Sequence, residues 1–199
     1  MKSKGITVFG HICNVGNRDE RIKLLLKIKE QHGGRLDVLV PNAACSTHFG
    51  SQLEITEKAY DKLWDLNVKS TFFLIKESYE MLMKSKELGG AANVLVVSSV
   101  TGKNPSPSIG VYSMTKAALD NMVIMLSKEL LPDGIRVNGI APGLIKTEFA
   151  APIWNSDVEK ASIGLPENIG SVVACICSSS DGAFMNGEVY QVNGGFAKL

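Results

Sequence analysis

Residues 93–97 carry the sequence NVLVV, and residues 37–40 carry DVLV. A strand with one face in solvent alternates apolar and polar residues, whereas a strand buried on both faces is apolar almost throughout. Both runs also have the length of strands rather than of helices. They predict strands in the interior of a parallel sheet.

The segments on either side of these runs alternate in type. Three more β-rich runs lie at Ile6–Ile12, Arg136–Ile140 and Glu188–Val192. Longer segments with apolar residues at helical spacing separate the runs, at Asn17–Gln31, Thr56–Met83, Val111–Leu130 and Pro166–Cys177. We expect Thr56–Met83 to form two helices in series or one bent helix. This alternation predicts a doubly wound α/β fold, a parallel sheet with helices on both faces, in a single domain over residues 1–199.

The composition excludes several other classes of protein. The chain of 199 residues carries 21 basic and 20 acidic side chains, so its charge gives no reason to expect a nucleic acid or an anionic membrane as partner. Its apolar runs are far shorter than the roughly 20 residues of a membrane span. The four cysteines fit neither a disulfide scaffold nor a zinc site, and no metal is expected.

Small and polar residues follow three of the predicted strands at the point where each ends. They are Asn42 and Ala43 after residues 37–40, Ser98 and Ser99 after residues 93–97, and the sequence NGIAPG at residues 138–143. In a doubly wound sheet, ligands bind beyond the carboxyl ends of the strands. These residues are therefore the first candidates for a binding site.

A tyrosine and a lysine open the helical segment that follows. Tyr112 and Lys116 are four residues apart, so they share one face of a helix. An ammonium beside a phenol lowers the pKa of the phenol, and Ser99 can donate a hydrogen bond to an oxygen near it. Tyr-x-x-x-Lys alone occurs in many helices, and Ser-Ser after a strand is commonly a cap or a turn. The joint arrangement is more specific, and it predicts delivery of a proton to a carbonyl while a hydride arrives from elsewhere.

Further motifs accompany these residues along nearly the whole chain. They lie at residues 41–45 (PNAAC), 66–70 (LNVKS), 96–102 (VVSSVTG), 112–116 (YSMTK), 135–147 (IRVNGIAPGLIKT) and 187–195 (GEVYQVNGG). In this order they resemble the classical short-chain dehydrogenase/reductase family, which implies a Rossmann-like sheet. Within the family, NAA at residues 42–44 and APGLIKT at residues 141–147 are most similar to the peroxisomal NADPH-dependent carbonyl/retinal reductase branch.

The resemblance implies a role for each member of the candidate catalytic group. Tyr112 would be the acid–base residue and Ser99 would polarise the substrate carbonyl. Lys116 would bind the nicotinamide ribose and lower the pKa of Tyr112. Asn67, in a helix whose local geometry holds a water, would complete a proton relay to Lys116. Without the resemblance, Asn67 is equally consistent with a polar residue that faces solvent in the middle of a helix.

The resemblance also implies contacts with a coenzyme. The residues that would bracket the nicotinamide are Pro142, Gly143, Ile145 and Thr147, of which Ile145 would bind the carboxamide through its backbone. Asn42 would pack under the adenosine side, which Ala43 would line, although Asn42 is also consistent with a simple turn residue. Asn14 occupies a position where the family often has an aspartate that contacts adenine, and this substitution changes the donor and acceptor pattern.

The chain departs from the family at its start. The family begins with a strand, a glycine-rich TGxxxGIG turn, a helix and a second strand, and none of these is recognisable here. We therefore expect the fold to lack the first β-α-β unit. Either Ile6–Ile12 then pairs beside residues 37–40, or the backbone edge of that strand stays open. The absent turn would bind the pyrophosphate, which argues against tight binding of the coenzyme.

Two functions are consistent with these observations. The first is an NAD(P)-dependent oxidoreductase that interconverts carbonyl and alcohol groups of small ketone, aldehyde or retinoid-type substrates. The branch that the chain resembles favours NADP(H) over NAD(H). The second is a catalytically inactive truncated isoform or incomplete gene model, which would associate with family members without binding coenzyme.

The resemblance finally predicts partners and a location. Helices near residues 67–83 and 111–130 would pack against their copies in a neighbouring subunit, which predicts a homodimer or a tetramer. The chain ends in Ala197, Lys198 and Leu199, which resemble the S-K-L signal for peroxisomes. We therefore expect the peroxisomal import receptor as a partner and a peroxisomal location, with the cytoplasm as the alternative.

Overall fold

A parallel sheet forms the centre of the part of the chain that the structure describes. The computed structural model describes residues 5–151 and 163–195. The strands are β1 (Val38–Leu39), β2 (Asn93–Val97), β3 (Arg136–Pro142) and β4 (Val189–Val192), in the spatial order β1-β2-β3-β4. Every neighbouring pair is parallel.

Helices connect these strands and cover the sheet. They are α1 (Arg18–Gln31), α2 (Glu57–Leu63), α3 (Ser70–Glu87), α4 (Gly110–Glu129) and α5 (Pro166–Cys177). A π-helical segment, Trp64–Lys69, joins α2 directly to α3. The expectation of two helices in series over Thr56–Met83 is therefore confirmed. None of the helices described has the length and apolar content that crossing a membrane requires.

The ends of α1 are set by residues whose chemistry starts or stops a helix. The side chain of Asn17 accepts hydrogen bonds from the backbone N–H groups of Asp19 and Glu20, at 2.9 and 3.2 Å. These bonds satisfy two donors of the first turn that have no partner within the helix. Past the last residue of α1, Gly33 and Gly34 adopt φ angles of +60° and +78°, a conformation that glycine adopts without steric cost.

Alternate residues of β2 enter hydrophobic cores on opposite faces of the sheet. One core, between the sheet and helices α3 and α4, includes Val94, Val96, Leu82, Leu119 and Val123. The other, between the sheet and α5, includes Leu95, Ile140 and Ile176. Each of these side chains is no more than 2% exposed. Burial on both faces explains why residues 93–97 are apolar almost throughout, and it confirms the doubly wound α/β fold.

The run Ile6–Ile12 is not a strand in the structure, so the prediction for it is wrong. Its apolar side chains remain in solvent, and Ile6 and Phe9 are 54% and 53% exposed. A strand needs a neighbour to satisfy its backbone groups, and among the described residues β1 pairs with β2 alone. Of the two alternatives for this edge of the sheet, the structure has the open one.

Strand β2 has its predicted bounds, and the other three strands differ from theirs by one or two residues at an end. β1 is limited to Val38–Leu39, whereas β3 continues past Ile140 to Pro142. Because the strands are parallel, the carboxyl ends of β1, β2 and β3 meet at the same edge of the sheet. The candidate site residues that follow each strand are thereby brought to one place.

Candidate active site

Tyr112 and Lys116 lie on the first two turns of α4, near the carboxyl end of β2. Nζ of Lys116 is 5.5 Å from the centre of the Tyr112 ring. The same ammonium donates a hydrogen bond of 2.9 Å to the carbonyl of Val97, the last residue of β2. Lys116 is only 2% exposed. The strand end therefore holds a buried positive charge beside the phenol.

Ser99 lies two residues beyond β2, and its side chain is close enough to that of Tyr112 to lower the pKa of the phenol by hydrogen bonding. Oγ of Ser99 also accepts two hydrogen bonds from Thr101, from the backbone N–H at 3.2 Å and from the hydroxyl at 3.0 Å. A serine oxygen has two acceptor positions and one proton to donate. Because Thr101 fills both acceptor positions, Ser99 acts toward the site as a donor.

Burial dominates the acid–base properties of this pair. It raises the pKa of Tyr112 to about 12, although the hydrogen bond from Ser99 opposes the rise. Burial also lowers the pKa of Lys116 to about 8, against the opposing influence of Asp120 and Cys45. The net shift of Tyr112 is thus opposite to the one expected from the sequence, because removing the phenolate from water outweighs the effect of Ser99, and Cys45 raises the pKa further. At neutral pH the phenol is protonated and the lysine is charged.

Asn67 lies in the π-helical segment and is completely buried. Its side chain forms three hydrogen bonds: Oδ1 accepts from the N–H of Cys45 at 2.8 Å, and Nδ2 donates to the carbonyl of Cys45 at 3.0 Å and to the hydroxyl of Thr115 at 3.1 Å. The solvent-facing alternative for Asn67 is therefore wrong. The residue fastens the loop after β1 to α4 at Thr115, and a relay from Asn67 to Lys116 stays a prediction.

Pro142 ends β3, and Gly143 directly follows it. The N–H of Gly143 donates to the carbonyl of Val192 at 2.9 Å. A Cβ atom added at Gly143 would lie 2.8 Å from Cβ of Asn193, which is closer than such atoms approach. The glycine is therefore required by the packing of the chain beyond β3 against the end of β4, independently of any ligand.

Ile145 pairs with Gly164 in an isolated parallel bridge. The two hydrogen bonds of the bridge, both 2.9 Å, use the carbonyl of Leu144 and the N–H of Lys146. In a parallel pair, the residue between two such bonds directs its own N–H and carbonyl to the opposite side. The N–H of Ile145 therefore faces away from Gly164, while its carbonyl accepts from the Thr147 hydroxyl at 3.3 Å.

The residues expected near adenosine lie on exposed loops. Asn42 and Ala43 follow β1 and are both exposed, so neither interpretation of Asn42 is decided. The side-chain oxygen of Asn14 accepts from the N–H of Gly16 at 3.1 Å, and its carbonyl accepts from the N–H of Asn17 at 2.8 Å. Asn14 thus shapes the turn before α1, and its contact with adenine stays a prediction.

The described residues fit the nicotinamide end of a coenzyme better than its pyrophosphate. The ammonium of Lys116 and the N–H of Ile145 are donors suited to ribose hydroxyls and to a carboxamide. A pyrophosphate needs free N–H groups at a helix N-terminus. In α1, the N–H groups of Asp19 and Glu20 are already bound by Asn17, and both side chains are acidic. No described helix begins with a glycine-rich turn directly after a strand.

The structure adds residues that sequence reasoning did not place at the site. Cys45 interacts electrostatically with both Tyr112 and Lys116, and the exposed ring of Phe149 lies 6.3 Å from the ring of Tyr112. Cys45 and Thr101 are parts of the motifs PNAAC and VVSSVTG, so their places near Tyr112 and Ser99 could have been inferred. Phe149 carries no such signal, because its contact depends on how a loop folds.

Comparisons with known proteins agree with this geometry. The model of a family described as enoyl-(acyl carrier protein) reductase matches residues 2–197. Dehydrogenase/reductase SDR family member 4 from Sus scrofa is 36% identical over 99% of this chain and 72% of its own. Tropinone reductase-like 3 from Erythroxylum coca is 34% identical over 98% of this chain and 76% of its own.

A solved structure, ElxO with NADP bound, has a TM-score of 0.81 at 24% identity, and the match covers 95% of this chain and 78% of the other. This likeness concerns the fold, which is the Rossmann-like fold expected from the sequence. The family model and the curated relatives cover almost the whole chain, including the segment that carries Ser99, Tyr112 and Lys116. The chain is therefore a member of the classical short-chain dehydrogenase/reductase family of oxidoreductases.

Proposed function

We propose that this protein reduces the carbonyl group of a ketone or aldehyde to an alcohol with a nicotinamide coenzyme. The observation that carries the proposal is the arrangement of three side chains: Ser99 lies close enough to Tyr112 to act on the pKa of the phenol, and the ammonium of Lys116 lies 5.5 Å from the ring centre. At neutral pH the phenol keeps its proton, because its pKa is about 12. A protonated Tyr112 is a proton donor, which favours reduction as the working direction.

Each of the three side chains has a separate task in this reaction. The hydroxyl of Ser99 donates a hydrogen bond to the substrate oxygen, since its acceptor positions are filled by Thr101. Tyr112 transfers its proton to the same oxygen as negative charge develops there. Lys116 stabilises the phenolate that results, from a buried position where its charge acts strongly. Asn67 keeps this face of α4 in place through Thr115.

The coenzyme supplies the hydride when it is bound. Lys116 would hold the nicotinamide ribose, and the backbone N–H of Ile145 would hold the carboxamide, with Pro142, Gly143 and Thr147 around the ring. Asn42, Ala43 and Asn14 would contact the adenosine side. The choice of NADP(H) over NAD(H) rests on the branch that the sequence resembles.

The side chains around Tyr112 indicate a substrate with an apolar body. Phe149 presents an exposed aromatic ring 6.3 Å from Tyr112, and Cys45 adds a small apolar surface nearby. Hydrophobic ketones and aldehydes, including retinoid-type ones, are therefore preferred to charged metabolites.

Binding and turnover of NADPH test the proposal. We expect NADPH fluorescence to titrate at micromolar concentration, and NADPH absorbance to fall when an aromatic ketone is added. Tyr112→Phe should bind NADPH equally well but lower kcat by about three orders of magnitude, within the range of general acid catalysis. No binding at millimolar NADPH would overturn the proposal.

That negative result would favour the second candidate, an inactive chain that associates with family members without coenzyme. The N-terminus of α1, where Asp19 and Glu20 are acidic and their N–H groups are bound by Asn17, is the observation that keeps this candidate open. A mixed sample with an active family member, separated by size, would then show whether the chain joins its oligomers.

We also propose two partners. The first is a second copy of the chain, which would pack on the exposed apolar face of α4 to form a dimer or a tetramer. The second is the peroxisomal import receptor, which would bind Ala197, Lys198 and Leu199. These three residues lie outside the described part of the chain, so the proposal rests on their sequence. A fluorescent fusion should be punctate in cells and should become diffuse when Leu199 is deleted.

A further inference from the structure

The helix that carries Tyr112 and Lys116 has no cap from its own sequence. The residue before its first turn is Ile109, whose side chain accepts no hydrogen bond. The first N–H groups of a helix have no partner within the helix, and an uncapped end is free to fray. In α4 one of these donors, the N–H of Val111, is bound by Oε1 of Gln52 at 2.9 Å, from 59 residues earlier in the chain.

The amide nitrogen of the Gln52 side chain donates both of its protons at the same place. Nε2 donates to the carbonyl of Gly50 at 2.8 Å and to the carbonyl of Ser108 at 3.0 Å. Gly50 in turn donates from its backbone N–H to Ser108 at 2.9 Å. A glutamine amide has two protons and an acceptor oxygen, so this one is fully engaged. It joins residues 50–52 to residues 108–111.

The backbone around the contact is shaped to admit this side chain. A Cβ atom added at Gly110 would lie 2.9 Å from Cγ of Gln52. Gly110 itself has ordinary helical angles, with φ −58° and ψ −47°, so its glycine is not needed for the backbone. Its lack of a side chain is what lets Gln52 reach Val111.

We infer that Gln52 is a positioning residue, which fixes the first turn of α4 against the loop after β1. Tyr112 directly follows Val111, so fraying of that turn would move the phenol away from Ser99 and Lys116. The same loop contains Cys45, which is held by Asn67. The loop is therefore fastened to α4 at two points, through Asn67 and through Gln52. The effect on catalysis rests on the proposed function, whereas the effect on Tyr112 does not.

The substitution Gln52→Met tests the inference, because methionine keeps the length of the side chain and removes its hydrogen bonds. We expect the amide of Val111 to exchange with solvent at least tenfold faster. We also expect Tyr112 to titrate closer to pH 10 than to pH 12, since a frayed turn exposes the phenol to water. Absorbance titration of each protein against its Tyr112→Phe counterpart isolates this one tyrosine. If NADPH-dependent reduction is present, kcat should fall roughly tenfold with little change in KM.

A second substitution separates positioning from a general loss of stability. Val111→Pro removes the donor that Gln52 satisfies, and proline is tolerated in the first turn of a helix. The strain that proline places on the preceding residue is small here, because that residue is Gly110. The double variant Gln52→Met/Val111→Pro should therefore restore the titration of Tyr112. Gln31→Met, at an exposed glutamine of α1, is the matched control and should behave as the unmodified protein.

The possible outcomes are distinct. Unchanged Val111 exchange in Gln52→Met would overturn the cap, and faster exchange with an unchanged Tyr112 titration would overturn the positioning role. Restoration of the Tyr112 titration in the double variant Gln52→Met/Val111→Pro supports the inference. If the unmodified protein shows no reduction of any carbonyl, yet exchange and titration respond as expected, the proposed function fails and the positioning role of Gln52 stands.

Discussion

At the scale of single residues, the direction of one proton decides what Ser99 can do. Its hydroxyl can polarise a carbonyl only as a donor, and an oxygen with a vacant acceptor position can instead accept the proton of Tyr112. Thr101 closes both acceptor positions, with bonds of 3.2 and 3.0 Å. Thr101 thereby fixes Ser99 as a hydrogen-bond donor toward the site.

Replacement of Thr101 tests whether its hydroxyl fixes Ser99 as a hydrogen-bond donor. Thr101→Val keeps the shape and the backbone N–H but vacates one acceptor position on Ser99, so we expect kcat to fall about fivefold, in line with the loss of one neutral hydrogen bond. Thr101→Ser restores the hydroxyl and should restore most of the rate. Steady-state kinetics with NADPH and a ketone measure both. Equal rates for the valine and serine variants would show that the hydroxyl has no such role.

We expect the protonation of Lys116 to set the pH dependence of kcat. Burial lowers its pKa to about 8, so its charge is present below that pH and is lost as the pH rises through it. Tyr112 keeps its proton up to about pH 12 and does not limit the rate in this range. We therefore expect kcat for reduction to fall above about pH 8.

A substitution at Lys116 tests whether the titration of this lysine causes the fall in kcat. Arginine stays protonated to a much higher pH, so in Lys116→Arg the fall at alkaline pH should disappear, even if the rate at pH 7 is lower. Measurement of kcat from pH 6 to pH 10 for both proteins decides the matter. A fall with the same midpoint in the arginine variant would assign the titration to another group.

The sequence is sufficient to bring together Ser99, Tyr112 and Lys116, because their positions follow from one strand end and one helical turn. It does not predict the sign of the shift of the Tyr112 pKa, since the degree of burial depends on the packing of the whole domain. Nor does it reveal Gln52, whose partners lie 56 and 59 residues away. Contacts between loops are not encoded in the spacing of a motif.

At the scale of elements, the π-helical segment connects the sheet edge to α4. Asn67 lies at its centre and binds both backbone groups of Cys45 as well as the hydroxyl of Thr115. A buried amide that loses its hydrogen-bond partner still carries the free-energy cost of having been removed from water. The polar side chain is therefore structural as well as a candidate for proton relay.

Truncation of Asn67 should consequently destabilise the protein as a whole. In Asn67→Ala, the N–H and carbonyl of Cys45 lose their partners, and we expect the free energy of unfolding to fall by about 3 kcal/mol. Lys27→Ala, at an exposed position of α1, is the control and should change it by less than about 0.5 kcal/mol. Urea denaturation measures both. A comparable small change at both positions would mean that water replaces the amide at Asn67.

Elements whose burial imposes a pattern on their residues are the ones that the sequence predicts well. The strand Asn93–Val97 is buried on both faces, the helix Pro166–Cys177 is buried on one side only, and both agree with their predicted bounds. The run Ile6–Ile12 has a similar apolar composition but forms no strand. Its conformation depends on a neighbouring strand, and no pattern within the run reports whether that neighbour is present.

At the scale of the whole molecule, α4 divides its apolar residues between two environments. Met122 and Leu126 are buried in the core of the described part of the chain. Met114, Ile124 and Met125 point to solvent with 41–50% of their surface exposed. Such residues grouped on one helix are typical of an interface between protein subunits.

Disruption of this face tests the expected oligomer. We expect light scattering to give at least twice the 21.4 kDa mass of one chain, and Ile124→Glu/Met125→Glu to give single chains. In an interface with two-fold symmetry, the same surface of each copy takes part, so the new carboxylates of both subunits are buried together and repel one another. Phe184→Glu replaces an apolar side chain that is fully exposed and lies outside α4, and it should leave the mass unchanged. A measured mass of 21.4 kDa for the unmodified protein would contradict the expectation. An oligomer that persists in Ile124→Glu/Met125→Glu would contradict it as well.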